Sequence, residues 1–299
     1  MLRRTARTAV EQVLTWLPPR TSAEDRLILS YHNVVSSRNQ QMGDRSLHLL
    51  VDDFGRQLDE LQERTSVVPL WELLHNTTTT ATAGRLRVAI TFDDAYASAL
   101  QLGVAECARR GLPCTIFVAP ALLNGVPFWD RAGAASKWSE QERLEFLGAS
   151  RGVDPSPAAT PSTILRAQRI ASLAELQAAV TLPGVRIGNH TFDHANLGAL
   201  SADEVLAQIK RAAEWIVHHV GSASLPVVAY PYGIAPASPN PLRSSQVVSF
   251  GLRVTGGIIR GGAPALDAFN VPRWNVPAGI SGKGFALRLR GHLIRGNRS

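Results

Sequence analysis

Two adjacent carboxylates, Asp93 and Asp94, follow the apolar run Leu86-Arg87-Val88-Ala89-Ile90, and two imidazoles, His190 and His194, stand four residues apart after a second short run, Gly184-Val185-Arg186-Ile187-Gly188. One carboxylate and two imidazoles give three protein ligands for a divalent cation and leave a fourth position for water, the pattern of a catalytic rather than a closed structural site. The second carboxylate can then take a proton from that water, so hydrolysis is the first expectation. Two carboxylates side by side at the end of a buried strand repel, and one must be neutralised by a cation or a proton. A competing reading makes the acidic pair a helix N-cap, because Asp is favoured there and a helix is expected next. The histidine pair has its own competing reading as an incidental one, which is how His218-His219 reads near a helix C-terminus. Tyr230-Pro231-Tyr232-Gly233 adds a turn whose Tyr232 N–H can face an oxyanion, although turns of this composition are common.

The elements that must position these groups alternate. Leu27 to His32 reads as a buried strand, Phe54, Leu58 and Leu61 recur at helical spacing, and Val67-Val68 opens another short strand. Residues 86–92 form the next strand, followed by a helix over Ala97 to Arg110 that stops at Gly111 and a strand over Cys114 to Val118, a parallel βαβ unit. Asn76 to Gly84 reads as a polar loop. From Asn124 to about Leu182 the rhythm breaks into a helical insertion, with helices expected at Ser139–Leu147 and Ser162–Val180 and an aromatic opening, Pro127-Phe128-Trp129-Asp130, suited either to a sugar groove or to plain packing. A strand resumes at Val185, a helix runs from Ala202 to His218 behind the capping box Ser201-Ala202-Asp203-Glu204, and strands follow at Val227–Tyr230, Leu252–Thr255 and Val271–Trp274. Seven or so strands alternating with helices suggest a barrel-like α/β domain. His32, Asp93-Asp94, His190 and Tyr232 all fall just after strands, where such folds carry their reacting groups.

A chain of 299 residues, 45% hydrophobic and 18% charged, can bury a sizeable core, which excludes a disordered or coiled-coil protein. The net charge of +7 is concentrated at the start (Arg3, Arg4, Arg7) and the end (Lys283, Arg288, Arg290, Arg295, Arg298), suggesting either contact with an anionic surface or solubilising termini. No nucleic-acid module accompanies it. Cys107 and Cys114 are too few for a disulfide scaffold and read as buried apolar side chains. Met1 to Arg20 reads as a short amphipathic helix rather than an export signal, and no apolar run is long enough to span a membrane, so a cytoplasmic location, at the membrane surface or not, is the expectation. The expected organisation is an extension over 1–24, a barrel domain over 25–280 and a basic tail over 281–299.

Taken in order, Leu29-Ser30-Tyr31-His32, Thr91-Phe92-Asp93-Asp94, Gly188-Asn189-His190-Thr191-Phe192-Asp193-His194, Ala229-Tyr230-Pro231-Tyr232-Gly233 and Pro272-Arg273-Trp274 resemble the polysaccharide deacetylases of carbohydrate esterase family 4, which share the NodB-type homology domain. The first of these is similar to the Tyr-His element of the exopolysaccharide branch. The resemblance implies an α/β fold, a distorted (β/α)7-type barrel, that removes acetyl groups from a polysaccharide, oligosaccharide or glycolipid precursor, most often the N-acetyl of a hexosamine. It implies Asp93 as general base, with Asp94, His190 and His194 holding a divalent metal, Zn2+ by ligand type with Co2+, Ni2+ or Fe2+ suiting the same set. It also implies Tyr232 as oxyanion donor through its amide. Two positions depart from the family pattern. Ala229 stands where an arginine is usual, and Arg273 is the candidate replacement that orients Asp93. The late Leu-x-His element has no match; His32 is the candidate acid and His292 the alternative. Two other functions compete: a carbohydrate-binding protein that keeps the metal site without turnover, and a hydrolase of other non-peptide C–N amide bonds.

Overall fold

The computed structural model describes residues 19–41, 43–77, 84–130, 166–261 and 266–291. The expected helices at Met1–Arg20 and Ser139–Leu147, His292 and much of the threonine-rich loop lie outside the described residues.

Seven parallel strands close into a barrel: β1 (Arg26–Tyr31), β5 (Leu86–Phe92), β6 (Cys114–Val118), β7 (Val185–Asn189), β8 (Ser224–Ala229), β9 (Phe250–Val254) and β10 (Val271–Asn275). They pair in the order β1-β10-β9-β8-β7-β6-β5, and β5 returns to β1 over six residue pairs, from Arg26↔Arg87 to Tyr31↔Phe92. This is the expected distorted (β/α)7-type barrel. A short strand, β4 (Thr65–Val67), pairs with the beginning of β5, while β6 takes the same edge higher up. Outside the barrel, β2 (Asn33–Val35) and β3 (His48–Leu50) form a two-stranded parallel sheet that the sequence pattern did not reveal; three-residue strands are too short to carry a period.

Alternation along the strands sorts the two faces. Leu27, Leu29 and Tyr31 belong, with Val88, Ile90, Ile116 and Val118, to the cluster between barrel and helices. Ile28, Ala89, Phe117, Ala229, Leu252 and Val271 form a second, smaller cluster. Continuing the inner face of the same strands upward by two residues gives Ser30, Thr91 and Arg273, all buried, so the upper barrel interior is polar. Gly188 makes room there: a Cβ on it would stand 2.3 Å from the Phe117 ring.

Helix α1 (Val51–Arg64) buries Phe54, Leu58 and Leu61, as their spacing implied. Helix α2 (Leu70–His75) was not expected. The helix expected over Ala97 to Arg110 opens as a π-helix, Ala99–Val104, and becomes regular only in α3 (Ala105–Arg109). The helix expected over Ser162–Val180 is broken. Arg166–Gln168 is a 3-10 turn, Ile170 bridges to Tyr96, and α4 (Leu173–Val180) begins behind a complete capping box between Ser172 and Glu175. That cap stops the helix from extending backward, because the Ser172 side chain takes up the Glu175 N–H in an extended conformation. Helix α5 (Ala202–Val220) starts at the capping box read from the sequence, and α6 (Asn240–Ser245) follows. The segment read as a basic tail instead opens with helix α7 (Gly282–Leu289), which buries Phe285, Leu287 and Leu289, the first and last of them in the main core cluster. Arg288, counted among the basic end, is buried over the Trp274 ring at 5.1 Å. Both cysteines are buried and unbridged. Among the described residues no helix is long and apolar enough to cross a membrane.

Candidate active site

His32, Asp93, Asp94 and His190 stand directly past the carboxyl ends of their strands, with His194 and Tyr232 in the loops that follow and Arg273 inside β10, and the sheet itself carries the chain into the site. The ladder runs one residue past three strands: Asp93 N–H donates to Tyr31 O at 2.8 Å, His190 N–H to Val118 O at 3.0 Å and Tyr230 N–H to Leu252 O at 3.0 Å. Beyond those bonds the backbone turns sharply. Asp94, Ala95, Thr191, His194 and Tyr232 all have φ between 58° and 67°, five of the eight described non-glycine residues on the left-handed side. Strain of this kind gathers at functional sites because the surrounding structure must hold it.

The turns are held by side chains of the motifs themselves. Asn189 Oδ1 accepts from Thr191 N–H at 2.8 Å, and Thr191 Oγ1 accepts from Ala195 N–H at 3.1 Å. From α5, Gln208 accepts the N–H groups of Phe192 and Asp193 on one oxygen (3.1 and 3.3 Å) and donates to the Asp193 carboxylate at 2.8 Å. This clamp brings His194 back toward His190, so an i, i+4 pair converges although it lies in a loop.

Asp94, His190 and His194 each point one electron-pair donor at a common spot, and the donor atoms lie within 4.8 Å of one another, all buried. Asp94 Oδ1 is 3.4 Å from His190 Nε2 and 3.3 Å from His194 Nε2, yet it receives no hydrogen bond. His190 Nδ1 faces the Ala229 carbonyl at 2.8 Å, which assigns the proton to Nδ1 and leaves Nε2 with its lone pair toward Asp94. A buried carboxylate oxygen without a donor, facing imidazole nitrogens, is a site that fits a divalent cation. Burial pushes the Asp94 carboxyl up, but the two histidines outweigh it and hold it well below the usual range. For His190 burial lowers the pKa, and Asp94 and Asp93 more than compensate, raising it; for His194 burial prevails and lowers it.

Asp93 points the other way, into the barrel. Arg273, 0% exposed, donates to both of its carboxylate oxygens at 2.7 and 2.8 Å, and Ser30 Oγ donates to Oδ2 at 3.0 Å. Arg273 also donates to Thr91 Oγ1 at 3.3 Å, whose hydroxyl donates to Leu29 O at 2.7 Å. Burial pushes the Asp93 carboxyl up, and Arg273, with His190 and His32, brings it below its ordinary value. The N-cap reading of the acidic pair does not describe this geometry, since one carboxylate serves a buried guanidinium and the other the histidines.

His32 Nε2 stands 4.0 Å from Asp93 Oδ2, with its side chain 16% exposed. Tyr232 puts its hydroxyl 3.1 Å from His194 Nδ1 and its ring edge-on to the same imidazole. Four expected residues, Asp93, Asp94, His190 and His194, thus share one site, with His32, Tyr232 and Arg273 beside it. The sequence reading gave no role to Ser30, Gln208 or Tyr96, and it marked Trp129-Asp130 as an aromatic opening without linking it to Tyr96 or His194. A hydroxyl on the inner face of an apolar strand was the available signal for Ser30; no local pattern marks Gln208 or Tyr96.

Comparisons with known proteins give the family of the chain. Residues 80–246 match the polysaccharide deacetylase family model, more than half of the chain. The chain belongs to the polysaccharide deacetylase family. It is therefore an enzyme, a hydrolase of carbon–nitrogen bonds other than peptide bonds, acting on acetylated polysaccharide. No curated protein sequence matches it. Among solved structures it resembles the Streptococcus pyogenes deacetylase PplD in complex with acetate (16% identity, 87% of this chain and 96% of that chain, TM-score 0.61). It also resembles IcaB from Ammonifex degensii (19% identity, 89% and 97%, TM-score 0.60) and the BpsB deacetylase domain from Bordetella bronchiseptica (16% identity, 86% and 98%, TM-score 0.55). At these identities the likeness establishes the fold.

Proposed function

We propose that the chain is a metal-dependent deacetylase that hydrolyses the N-acetyl group of hexosamine units in a glycan. The observation that carries this reading is the convergence of Asp94, His190 and His194 on one spot, with Asp93 held in a separate ion pair beside it. Asp94, His190 and His194 hold a divalent cation, with Zn2+ suited to two imidazoles and a carboxylate. Bound there, the cation polarises the acetyl carbonyl and lowers the pKa of water.

The protein groups divide the remaining work. Asp93 removes a proton from the water that attacks the acetyl carbon. Arg273 keeps that carboxylate ionised and fixes its orientation, so it is ready to accept a proton at neutral pH. The Tyr232 amide, in its left-handed turn beside His194, donates to the oxygen that gains charge. His32, on the open side of Asp93, delivers a proton to the departing nitrogen as the C–N bond breaks, leaving acetate and a free amine. PplD and BpsB are deacetylases, which supports removal of an acetyl group.

The test is acetate release from a panel of acetylated glucosamine oligomers by zinc-loaded protein, with Asp93→Asn as the comparison. Absence of acetate from every oligomer would refute the reading, and oligomer binding without acetate release would favour the carbohydrate-binding alternative. A finer reading takes the substrate to be a lipid-linked precursor met at a membrane surface through the basic ends; co-sedimentation with anionic liposomes tests it, and indifference to them removes it.

A further inference from the structure

Behind the cation-binding groups lies a second buried polar assembly that the reaction above does not use. Its centre is Asp130, at the end of the turn Phe128–Asp130. Asp130 Oδ1 pairs with His48 Nε2 at 3.0 Å, and both side chains are 0% exposed. The same oxygen accepts the Asp44 N–H at 3.2 Å, and Oδ2 accepts the Tyr96 hydroxyl at 2.6 Å. His48 is oriented in turn by Asn33, whose Nδ2 lies 3.1 Å from Nδ1 and also donates to Ala167 O at 2.6 Å. That arrangement leaves the His48 Nε2 proton for Asp130.

The assembly reaches the cation-binding groups through Trp129. The Trp129 indole N–H donates to the Tyr96 hydroxyl at 2.8 Å, and the indole ring lies against His194 with centroids 4.8 Å apart. Tyr96 O–H is thus donor to Asp130 and acceptor from Trp129, so both of its roles are fixed. His194 is boxed on three sides, by Trp129, by His190 at 4.8 Å and by Tyr232 at 4.7 Å. Of these walls, Trp129 is anchored to the buried Asp130 carboxylate through the Tyr96 hydroxyl. Burying a carboxylate this completely is costly unless it is paired and hydrogen-bonded, and His48, the Asp44 N–H and the Tyr96 hydroxyl meet that need while fixing the Tyr96 hydroxyl in place.

We propose that Asp130 is a positioning residue which, through the Tyr96 hydroxyl, seats the Trp129 indole against His194 and so sets the orientation of that imidazole toward the cation. The inference rests on the metal reading above. Its chemistry is that of an outer partner which holds a ligand ring in place and thereby raises affinity for the ion.

The test uses the full chain and two probes, Zn2+ by chelator competition and Co2+ by its visible absorption. Tyr96→Phe removes one hydroxyl and both of its hydrogen bonds. Zinc binding is expected to weaken roughly tenfold, within the range seen for lost outer partners, and the cobalt spectrum to change shape. Tyr31→Phe is the matched control: it also deletes a buried hydroxyl bond, to Gln57 Oε1 at 2.9 Å, but one that does not lead to a ligand ring. A merely structural role predicts that both variants lose melting temperature and neither changes zinc affinity. Should Tyr96→Phe fail to fold, Trp129→Phe gives the same comparison, since it keeps a ring at that place but removes the indole N–H. Zinc affinity within about twofold of native, with an unchanged cobalt spectrum, overturns the proposal. A native protein that takes up neither ion overturns the metal reading and this inference together, a result distinct from selective weakening in the variants.

Discussion

Arg273 and Asp93, 180 positions apart in the chain, meet inside the barrel through two hydrogen bonds of 2.7 and 2.8 Å with the arginine wholly buried. The planar fork matches both carboxylate oxygens at once, which a lysine cannot do. Arg273→Lys is expected to lower kcat at least about tenfold with a smaller change in KM, because the base loses its orientation more than substrate loses its contacts. Steady-state kinetics on an acetylated oligomer check this; native kcat in the variant would show that Arg273 does not orient Asp93.

The same pair sets a pH dependence. Arg273 holds the Asp93 pKa below its ordinary value against burial, which pushes it up. A base with a lowered pKa stays ionised until the pH falls through that value, so the acid limb of kcat/KM lies at low pH. In Arg273→Gln burial acts with less opposition, and the limb moves to higher pH. A pH–rate profile that does not move, or moves toward acid, contradicts the assigned base.

Asp94→Asn keeps the size of the side chain but removes the charge that faces both histidines. Metal content measured by elemental analysis is expected to fall from about one ion per chain to near none, whereas Asp93→Asn retains the ion and loses activity by about a hundredfold or more. Equal metal loss in both variants would mean that the two carboxylates share one role.

Gly188 is predicted to tolerate no side chain. A Cβ there would stand 2.3 and 2.5 Å from two atoms of the Phe117 ring, which itself lies under Arg273. Gly188→Ala should cost about 1–3 kcal/mol by overpacking, read as a lower denaturation midpoint, and the paired variant carrying Phe117→Leu should recover part of it.

Glu175 links a helix cap to acid stability. Its carboxylate accepts two hydrogen bonds from Arg169 and the Ser172 N–H, and with Arg169 as the largest cause its pKa is lowered from 4.5 to about 2. A lowered folded-state value means that the contribution is complete above 4.5 and is lost as the pH falls toward 2. Thermal melts at pH 7 and pH 3 are expected to show a smaller pH-dependent loss in Arg169→Gln than in the native chain; an equal loss in the two proteins would remove the pair from the account.

Much of the arrangement was already present in the order of residues. The strands that begin near Leu27, Leu86, Cys114 and Val185, the cap at Ser201 and the candidate group Asp94, His190 and His194 were legible because each rests on a short pattern: an apolar run, a capping box, an i, i+4 pair. The helix expected over Ser162–Val180 starts only at α4 because the Ser172–Glu175 capping box fixes its beginning, and the first helix after Asp94 opens in a π form that sequence period does not distinguish from a regular helix. Helix α7 looked like a tail because its arginines stood out and its three buried apolar residues did not.

What the linear chain determined by itself was the chemical inventory and its placement after strands, since residue type and period are properties of short segments. The resemblance already paired Asp94 with the histidines and Arg273 with Asp93, but the two-point contact of Arg273 with Asp93, and the route from Asp130 to His194 through Tyr96 and Trp129, were decided only when the barrel closed. Those choices depend on backbone turns with φ near +60° and on partners up to 180 positions distant, and no local pattern carries such distances.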